Sequence, residues 1–338
     1  MGTSTTPATV TAIVVNYNSG SLLIQAVNSL RQQAYAVDVV VVDNCSSDGS
    51  AETISHHYPD VTVVHSTVNL GFAAGANLGA RNCATSFLLF LNPDTVLAPG
   101  CVAALIAAYE RRPGIVGPVL TVAANQGRDF GATINHLGMS LSLDGTTLPL
   151  YVSGCALFTS TVVFHELGGF DGRYFLFVED VELCWRALLA GYDVSVAEDA
   201  EAAHQGGATA PGGYFRSGTR YVTSPLRVRL RERNSIALML SCAPWWWLPS
   251  VVPTLVARSA LLAAGGLLLG HPKLAAELAQ GVVWNIAELP RSFCRRRSLP
   301  RTKSGDKEAR RRVVRDPVFL RMLRHSGVPH LASDDAKR

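Results

Sequence analysis

Phe87-Leu-Leu-Phe-Leu-Asn-Pro-Asp94 decides how this chain is read. The apolar run Phe87–Leu91 is too short for an ordinary helix and reads as a buried strand. Pro93 has no N–H to give a sheet ladder, so pairing should stop at Asn92-Pro93-Asp94. Asp94 is thereby expected at the carboxyl end of a buried strand, the edge where open α/β sheets bind ligands. A carboxylate there is costly unless paired, and a divalent cation bridging to phosphate is a natural partner. A turn-forming Asp would explain the same tripeptide without any ligand.

Strands and helices alternate around that run. Residues 10–15 read as a first buried strand, ending at Asn16-Tyr17-Asn18. Leu22, Leu23, Ala26, Val27 and Leu30 recur at helical spacing through 21–33. Residues 37–42 form a second strand that ends in Asp43-Asn44, and Asp48 is placed to cap a helix over 50–57. A short third strand covers 61–65, and Asn69-Leu-Gly71 turns into a helix through 84. This alternation predicts a right-handed parallel α/β sheet. The first, second and fourth strands end in Asn or Asp, so a parallel sheet would gather polar ends along one edge as a cleft.

Downstream, the pattern predicts a helix over 99–112, a strand over 116–122, a hairpin region over 123–150 and a strand over 151–159. Gly154 in that last strand admits close backbone approach. Glu179 and Asp180 open a helix that runs to Ala190 and stops at Gly191. Acidic groups in a first turn meet the helix dipole favourably; alternatively one of them is a general base beside a hydroxyl. A last strand covers 192–197. His204 follows in a Gly-rich loop, where a histidine is a bystander or a metal ligand.

The 338 residues suffice for one large domain and a smaller one. The net charge of +4 is unevenly spread: 285–338 holds 15 Lys+Arg against 6 Asp+Glu, and the rest holds 15 against 20. The seven cysteines are dispersed, without metal-site spacing, and read as buried thiols of a reducing compartment. No secretory signal is expected, and the first residues read as a frayed terminus. Residues 236–269 are dominantly apolar and hold Trp245-Trp246-Trp247, Arg258 and Gly265-Gly266. This composition favours helices lying at a membrane interface, with an ordinary buried helical hairpin as the other reading. The basic residues of 291–338 come with few aromatics, which ranks anionic lipid above nucleic acid; a solvated tail fits equally.

Together these blocks resemble glycosyltransferase family 2, and within it the bacterial rhamnosyltransferase-like branch. The residues that carry the resemblance are Ile13-Val-Val-Asn-Tyr-Asn18, Val40-Val-Val-Asp-Asn44, Asn69-Leu-Gly-Phe-Ala-Ala-Gly-Ala-Asn77 and Leu91-Asn-Pro-Asp94. Gly168-Gly-Phe-Asp171, Phe177-Val-Glu-Asp-Val-Glu-Leu-Cys-Trp-Arg186, His204 and Arg233-Asn234 complete it, so it spans about 10–240. The resemblance implies a GT-A fold: a mixed α/β sheet flanked by helices over 1–235, an apolar, membrane-associating helical region over 236–290 and a basic tail over 291–338. It implies that Val15, Asn16, Tyr17, Asp43, Asn69, Gly71, Asn77 and Asn92 bind a nucleotide-sugar. It places Asp94 and His204 on Mg or Mn, Asp180 as the base with Glu179 in support, and Gly154 and Trp185 on the acceptor side. Asn92 stands where the family's pattern has a first Asp.

The activity implied by the resemblance is an inverting, metal-dependent hexosyl transfer. The donor would be a nucleotide-diphosphate sugar, dTDP-rhamnose favoured, and the acceptor a glycan or polyprenyl-diphosphate-linked glycan. The enzyme would work peripherally at the cytoplasmic face of a bacterial plasma membrane, in cell-envelope polysaccharide synthesis and with no nucleic-acid partner. A dinucleotide-dependent oxidoreductase would need Gly-x-Gly-x-x-Gly where the chain has Asn16-Tyr-Asn-Ser-Gly20. A non-catalytic nucleotide-sugar or lipid-binding protein on the same fold is the alternative.

Overall fold

The computed structural model describes residues 10–122, 127–205, 214–216, 220–314 and 330–331. The first half runs β1 (Val10–Asn16), α1 (Ser21–Arg31), β2 (Val37–Asp43), α2 (Ser50–His57), β3 (Thr62–His65), α3 (Gly71–Ala80), β4 (Phe87–Leu91), β5 (Thr95–Leu97), α4 (Cys101–Arg111) and β6 (Gly114–Val122). Then come β7 (Gly127–Asp129), β8 (Ala132–Ile134), β9 (Ser140–Ser142), β10 (Ala156–Ser160), α5 (Thr161–Glu166), α6 (Glu179–Ala190) and β11 (Asp193–His204). The C-terminal part holds β12 (Tyr214–Arg216), β13 (Arg220–Thr223), α7 (Pro225–Cys242), α8 (Leu248–Leu268), α9 (Pro272–Ala287), α10 (Leu289–Ser298), α11 (Lys303–Arg312) and β14 (His330–Leu331).

A nine-stranded sheet in the order β3-β2-β1-β4-β10-β6-β11-β5, with β7 beside β6, forms the centre. Alternation builds it. Ile13, Val15, Leu88 and Phe90 enter the core under α3 and α6, while Val10, Ala12, Val14, Leu89 and Leu91 enter the core under α1 and α4. Both faces are covered, which is why β4 is apolar throughout. Strands β1 to β4 are mutually parallel, as the alternation implies. The sheet as a whole is mixed, because β10 runs antiparallel to β4 and β6, and β5 antiparallel to β11.

Two strand ends differ from the sequence reading. β10 begins at Ala156, later than the expected 151–159 strand, which leaves 152–155 as a turn beside the end of β4. β11 continues past 197 to His204, with a register shift between Ala197 and Glu201. His204 therefore stands on a strand opposite Thr95 rather than in a free loop. The glycines after it lie outside the described residues.

α7 starts with a Ser224 cap and Pro225 in its first turn. α8 and α9 pack on it as a hairpin. The expected basic tail is helical through Arg312 and folds back onto α6. Arg295 donates to Glu182 at 2.8 Å and approaches Asp171 at 3.2 Å. Buried Arg296 donates to the carbonyl of Ala243, and Arg312 donates to the carbonyls of Pro149 and Val194. Gly305 passes so close to α6 that a Cβ would lie 2.3 Å from the Leu188 carbonyl oxygen. Arginines that satisfy buried carbonyls and carboxylates are structural members, and this is why sequence charge alone misreads them as a solvated tail.

Glu182 is fully buried between Arg186 and Arg295. Burial opposes its charge, but the two guanidiniums outweigh burial and lower its carboxyl below the ordinary 4.5. The ionised form therefore contributes stability above that pH, and the contribution is lost as pH falls through the depressed value. Glu182→Gln should be less stable at neutral pH by about 3–5 kcal/mol. Thermal melts of the variant and the parent should converge on acidification; parallel curves down to acid unfolding would remove this role.

Candidate active site

The register of β1 and β2 sets Asn16 beside Asp43, and that of β2 and β3 sets Asp43 beside His65. The Asn16 amide donates to Ser50 Oγ at 2.8 Å, Ser46 Oγ at 3.1 Å and Asp43 Oδ1 at 3.3 Å. Its own Oδ1 is buried without a hydrogen bond. Asp43 also receives the Ser46 N–H and meets His65 Nδ1 at 3.3 Å. Tyr17 follows directly and is exposed. A polar corner with an aromatic ring at its lip suits a heterocycle and a ribose.

Asn44 extends this corner. Its amide donates to Asn69 Oδ1 at 3.1 Å and to the Gly71 carbonyl at 3.0 Å, and its Oδ1 accepts from the Leu70 N–H. Gly71 has φ +75°, and a Cβ there would meet the Phe175 carbonyl oxygen at 2.3 Å. Only glycine allows that approach, which ties α3 to the loop before α6.

At the end of β4, the Asn92 N–H donates to the Cys155 carbonyl at 2.9 Å and the Thr95 N–H to the Asn92 carbonyl at 3.1 Å. This turn buries Asp94. His204 Nε2 lies 3.3 Å from Asp94 Oδ1, close enough for an ion pair. The contact does not have hydrogen-bond geometry, and Oδ1 is left without a hydrogen bond. Burial works against a charged imidazole, but Cys155 and Asp94 outweigh it and push His204 up to about 11. A buried oxygen lacking a hydrogen bond, facing an imidazole nitrogen, is a donor pair that fits a divalent cation. Among the described residues no three His, Cys, Asp or Glu side chains converge to hold a metal by themselves. Among the described residues Asp94 and His204 would thus be the two ligands, and phosphate and water would supply the others.

The carboxylates of α6 are presented by an unusual loop. Phe175, Phe177 and Val178 all have positive φ, at 62°, 70° and 72°. Such conformations are costly for bulky and β-branched residues and persist only where surroundings impose them. Asn234 imposes this one: its amide donates to the carbonyls of Tyr174, Leu176 and Phe177 at 3.0, 3.0 and 2.7 Å. Arg233 adds bonds to the carbonyls of Arg173 and Tyr174. Asp180 then accepts the Gly154 N–H at 2.9 Å and the Val181 N–H at 2.8 Å. Gly154 and Cys155 are neighbours, so Asp180 and the Asn92–Asp94 turn meet on one short segment.

Burial raises Glu179 well above its ordinary range and the charge of Asp180 adds to it. Burial raises Asp180 too, but the N–H groups of Gly154 and Val181 oppose it. Both carboxyls are thus raised, while the two N–H donors favour the ionised form of Asp180.

Residues 11–166 match the profile of glycosyl transferase family 2. The chain carries a domain of that family. A similar protein is the N-acetylglucosaminyl-diphospho-decaprenol L-rhamnosyltransferase of Mycobacterium tuberculosis, 27% identical over 229 residues, which cover 57% of this chain and 74% of that one. The pre-mycofactocin glycosyltransferase of the same organism is 30% identical over 195 residues, covering 54% of this chain and 39% of that one. Among solved structures, GalNAc-T7 with UDP, GalNAc and Mn2+ superposes with a TM-score of 0.57 at 14% identity, covering 86% of this chain and 58% of the other. S. aureus TarS 1–349 superposes with a TM-score of 0.52 at 16% identity, covering 90% and 91%. These likenesses establish the GT-A fold.

Within the family 2 domain the expected site residues separate. Asn16, Tyr17, Asp43, Asn69, Gly71, Asn92, Asp94 and His204 gather at the carboxyl edge of the sheet, and Gly154, Glu179 and Asp180 flank them. Val15 is packed in the core, where a Cβ on Gly75 would strike it at 2.9 Å. Asn77 gives both polar atoms to the backbone of Phe170. Trp185 differs most: it is 1% exposed inside the core. α6 rotates it about 140° away from Asp180, so it backs the site instead of lining it. Two residues were missed. Asn44 carried no signal beyond its neighbour Asp43. Asp129 on β7 feels both His204 and Asp180, and its Oδ1 is buried without a hydrogen bond. Only the pairing of β7 with β6 brings it there.

Asn234→Ala would leave three loop carbonyls short of a donor. It should lower stability by about 1–3 kcal/mol and open the 175–178 segment to proteolysis, read by thermal melting and limited digestion. Unchanged cleavage would show that the loop holds its conformation unaided.

Proposed function

We propose that this protein is an inverting glycosyltransferase. It moves a sugar, rhamnose favoured, from a nucleotide-diphosphate donor to a hydroxyl of a glycan or polyprenyl-diphosphate-linked glycan. The observation that carries this reading is the convergence of Asp94 with His204 and of Asp180 with Glu179 on the 92–94 and 154–155 segments. Rhamnose and the lipid-linked acceptor draw support from the name of the similar mycobacterial rhamnosyltransferase.

In this mechanism Asn16 and Asp43 hold the nucleoside, and Tyr17 closes over it. A divalent cation, Mg or Mn, held by Asp94 and His204 would offset the negative charge of the departing diphosphate. Asp180 takes the proton of the acceptor hydroxyl as its oxygen attacks the anomeric carbon from the face opposite the diphosphate. Glu179 stays protonated and adds no second charge beside the base. The bond to the diphosphate oxygen breaks as the new glycosidic bond forms, which inverts the anomeric carbon in one step. No enzyme nucleophile is required.

The C-terminal helices suit a peripheral place at the cytoplasmic face of the membrane. Among the described residues one segment, Trp245–Leu268, is long and apolar enough to cross a bilayer. Arg258 in its middle pairs with Glu232 of α7 at 2.9 Å, a charged contact that supports a place on the surface over spanning. Leu261, Leu267 and Leu268 of α8 and Val283 and Ile286 of α9 are each exposed.

Asp180→Asn should cut transfer by about 10²–10⁴-fold while sparing donor binding. Asp94→Ala should weaken donor binding in Mg or Mn. Nucleotide-diphosphate release in a donor screen, with and without lipid-linked acceptor, measures both; normal turnover by both variants would end the assignment. Because burial raises the Asp180 carboxyl, the acid limb of the pH–rate profile should lie above the ordinary aspartate value of 3.8, with activity falling as pH drops through it. Leu261→Glu with Leu268→Glu should abolish binding to anionic vesicles with little change in melting temperature. Retained vesicle binding would argue against the apolar face.

A further inference from the structure

α7 opens with Arg227, Arg229, Arg231 and Arg233 at every second position. On a helix, residues four apart share a face, so these four form two pairs. The pair Arg229 and Arg233 is committed to structure. Arg229 meets Glu277 at 2.8 Å, and Arg233 supports the loop before α6 and lies 4.3 Å over Trp284. The pair Arg227 and Arg231 turns toward the mouth of the site. Their guanidinium carbons lie 4.5 and 5.4 Å from the centroid of Phe177. Phe177 stands two residues before Glu179, fixed by its left-handed backbone and by Asn234.

Arg231 is exposed and, among the described residues, makes no hydrogen bond or ion pair. The aromatic face below it orients the guanidinium plane and leaves its N–H edge open. Its charge nonetheless reaches Asp180 and Tyr151. A cation so placed weakens a base unless an anion neutralises it.

The geometry points to Arg231, with Arg227 beside it, as the receptor for the phosphate group that joins the acceptor sugar to its lipid. This rests on the transferase reading and chooses, between its two acceptor classes, the phosphate-linked one, naming the residues that hold it. The attacking hydroxyl must reach Asp180, and a diphosphate on the anomeric carbon of the same sugar then lies one ring away, at the guanidinium edge. The planar fork of arginine matches phosphate oxygens in pairs. The subsite thus selects acceptors by an anionic group at a fixed distance from the hydroxyl that reacts.

The test is calorimetric titration of the full chain with geranyl diphosphate and with geraniol, in EDTA so that metal-dependent donor binding is silent. The wild type should bind geranyl diphosphate well and geraniol at least tenfold more weakly. Arg231→Ala should lose about tenfold or more in affinity for the diphosphate, the worth of one charge-assisted bond. Arg231→Lys should recover part of the loss, and melting curves of both should match the wild type because the side chain is exposed. Equal affinity of wild type and Arg231→Ala, or equal binding of geraniol, overturns the subsite. Titration with nucleotide-diphosphate sugars and Mn separates the two readings. If a donor binds while geranyl diphosphate ignores Arg231, the subsite fails and the transferase stands. If no donor binds while the Arg231 dependence holds, the transferase fails and the phosphate site stands.

Discussion

Burying a carboxylate costs several kcal/mol unless charge or hydrogen bonds compensate it. Among the described residues this chain buries five: Asp43, Asp94, Asp171, Glu179 and Glu182. Their surroundings divide them. Asp171 and Glu182 are enclosed by Arg173, Arg186 and Arg295, and both carboxyls are lowered despite their burial. Asp94 and Glu179 each keep an oxygen with no hydrogen bond. Asp43 is shared among Asn16, Ser46 and His65. A satisfied carboxylate holds elements together. An unsatisfied one is a cost that a cation or a proton can relieve, and such groups mark functional sites.

The satisfied pair explains why the C-terminal segment cannot be treated as an appendage. α6 carries Asp180 and, in the same first turn, Glu182, which takes Arg295, and it receives α11 at its end, where the Thr302 N–H donates to the Leu189 carbonyl at 2.8 Å. Arg173, one loop before Asp180, reaches Glu288 and Ser292 at the start of α10. The C-terminal helices are therefore fixed to the helix that presents Asp180. If their exposed apolar residues lie on a membrane, the orientation of the bilayer determines the direction from which a hydroxyl meets Asp180. Removing the segment to test membrane binding would also uncover Glu182, which is why substitutions confined to the apolar face are the cleaner probe.

Much of this was legible in the order of residues. The apolar run Phe87–Leu91, the polar ends of β1, β2 and β4, and the span of α6 from Glu179 to its glycine stop are each dictated by local chemistry, and the structure has them. What was not legible depends on long-range pairing. The antiparallel insertion of β10 gives the mixed sheet that the family resemblance implied, but no local period announces which strand reverses. The left-handed loop before α6 is written as Phe-Leu-Phe-Val, a sequence that favours strand; only the Asn234 amide, more than fifty positions away, explains its shape. Asp129 looked like a hairpin residue because its neighbours in space come from β6. The buried arginines of α10 and α11 were indistinguishable from a solvated basic run, since their acceptors are carbonyls and carboxylates from distant elements.

The two halves of the site are built differently. Asn16, Asp43 and Asp94 sit at strand ends fixed by sheet register, and all three fall within the segment that matches the family profile, 11–166. Asp180, Glu179, Arg231 and Asn234 fall after it. They depend on a strained loop and on helices α6 to α10. Strand ends cannot shift without breaking ladders of backbone hydrogen bonds, so Asn16, Asp43 and Asp94 are held rigidly. Asp180 and Glu179 instead hang on side-chain bonds from Asn234, Arg233 and Arg295, which one or two substitutions can re-aim. On the proposed reading, donor chemistry would then belong to the strand ends and acceptor choice to the segment after the family match. A change of acceptor would on that reading require no change to Asp94 or to the corner formed by Asn16 and Asp43.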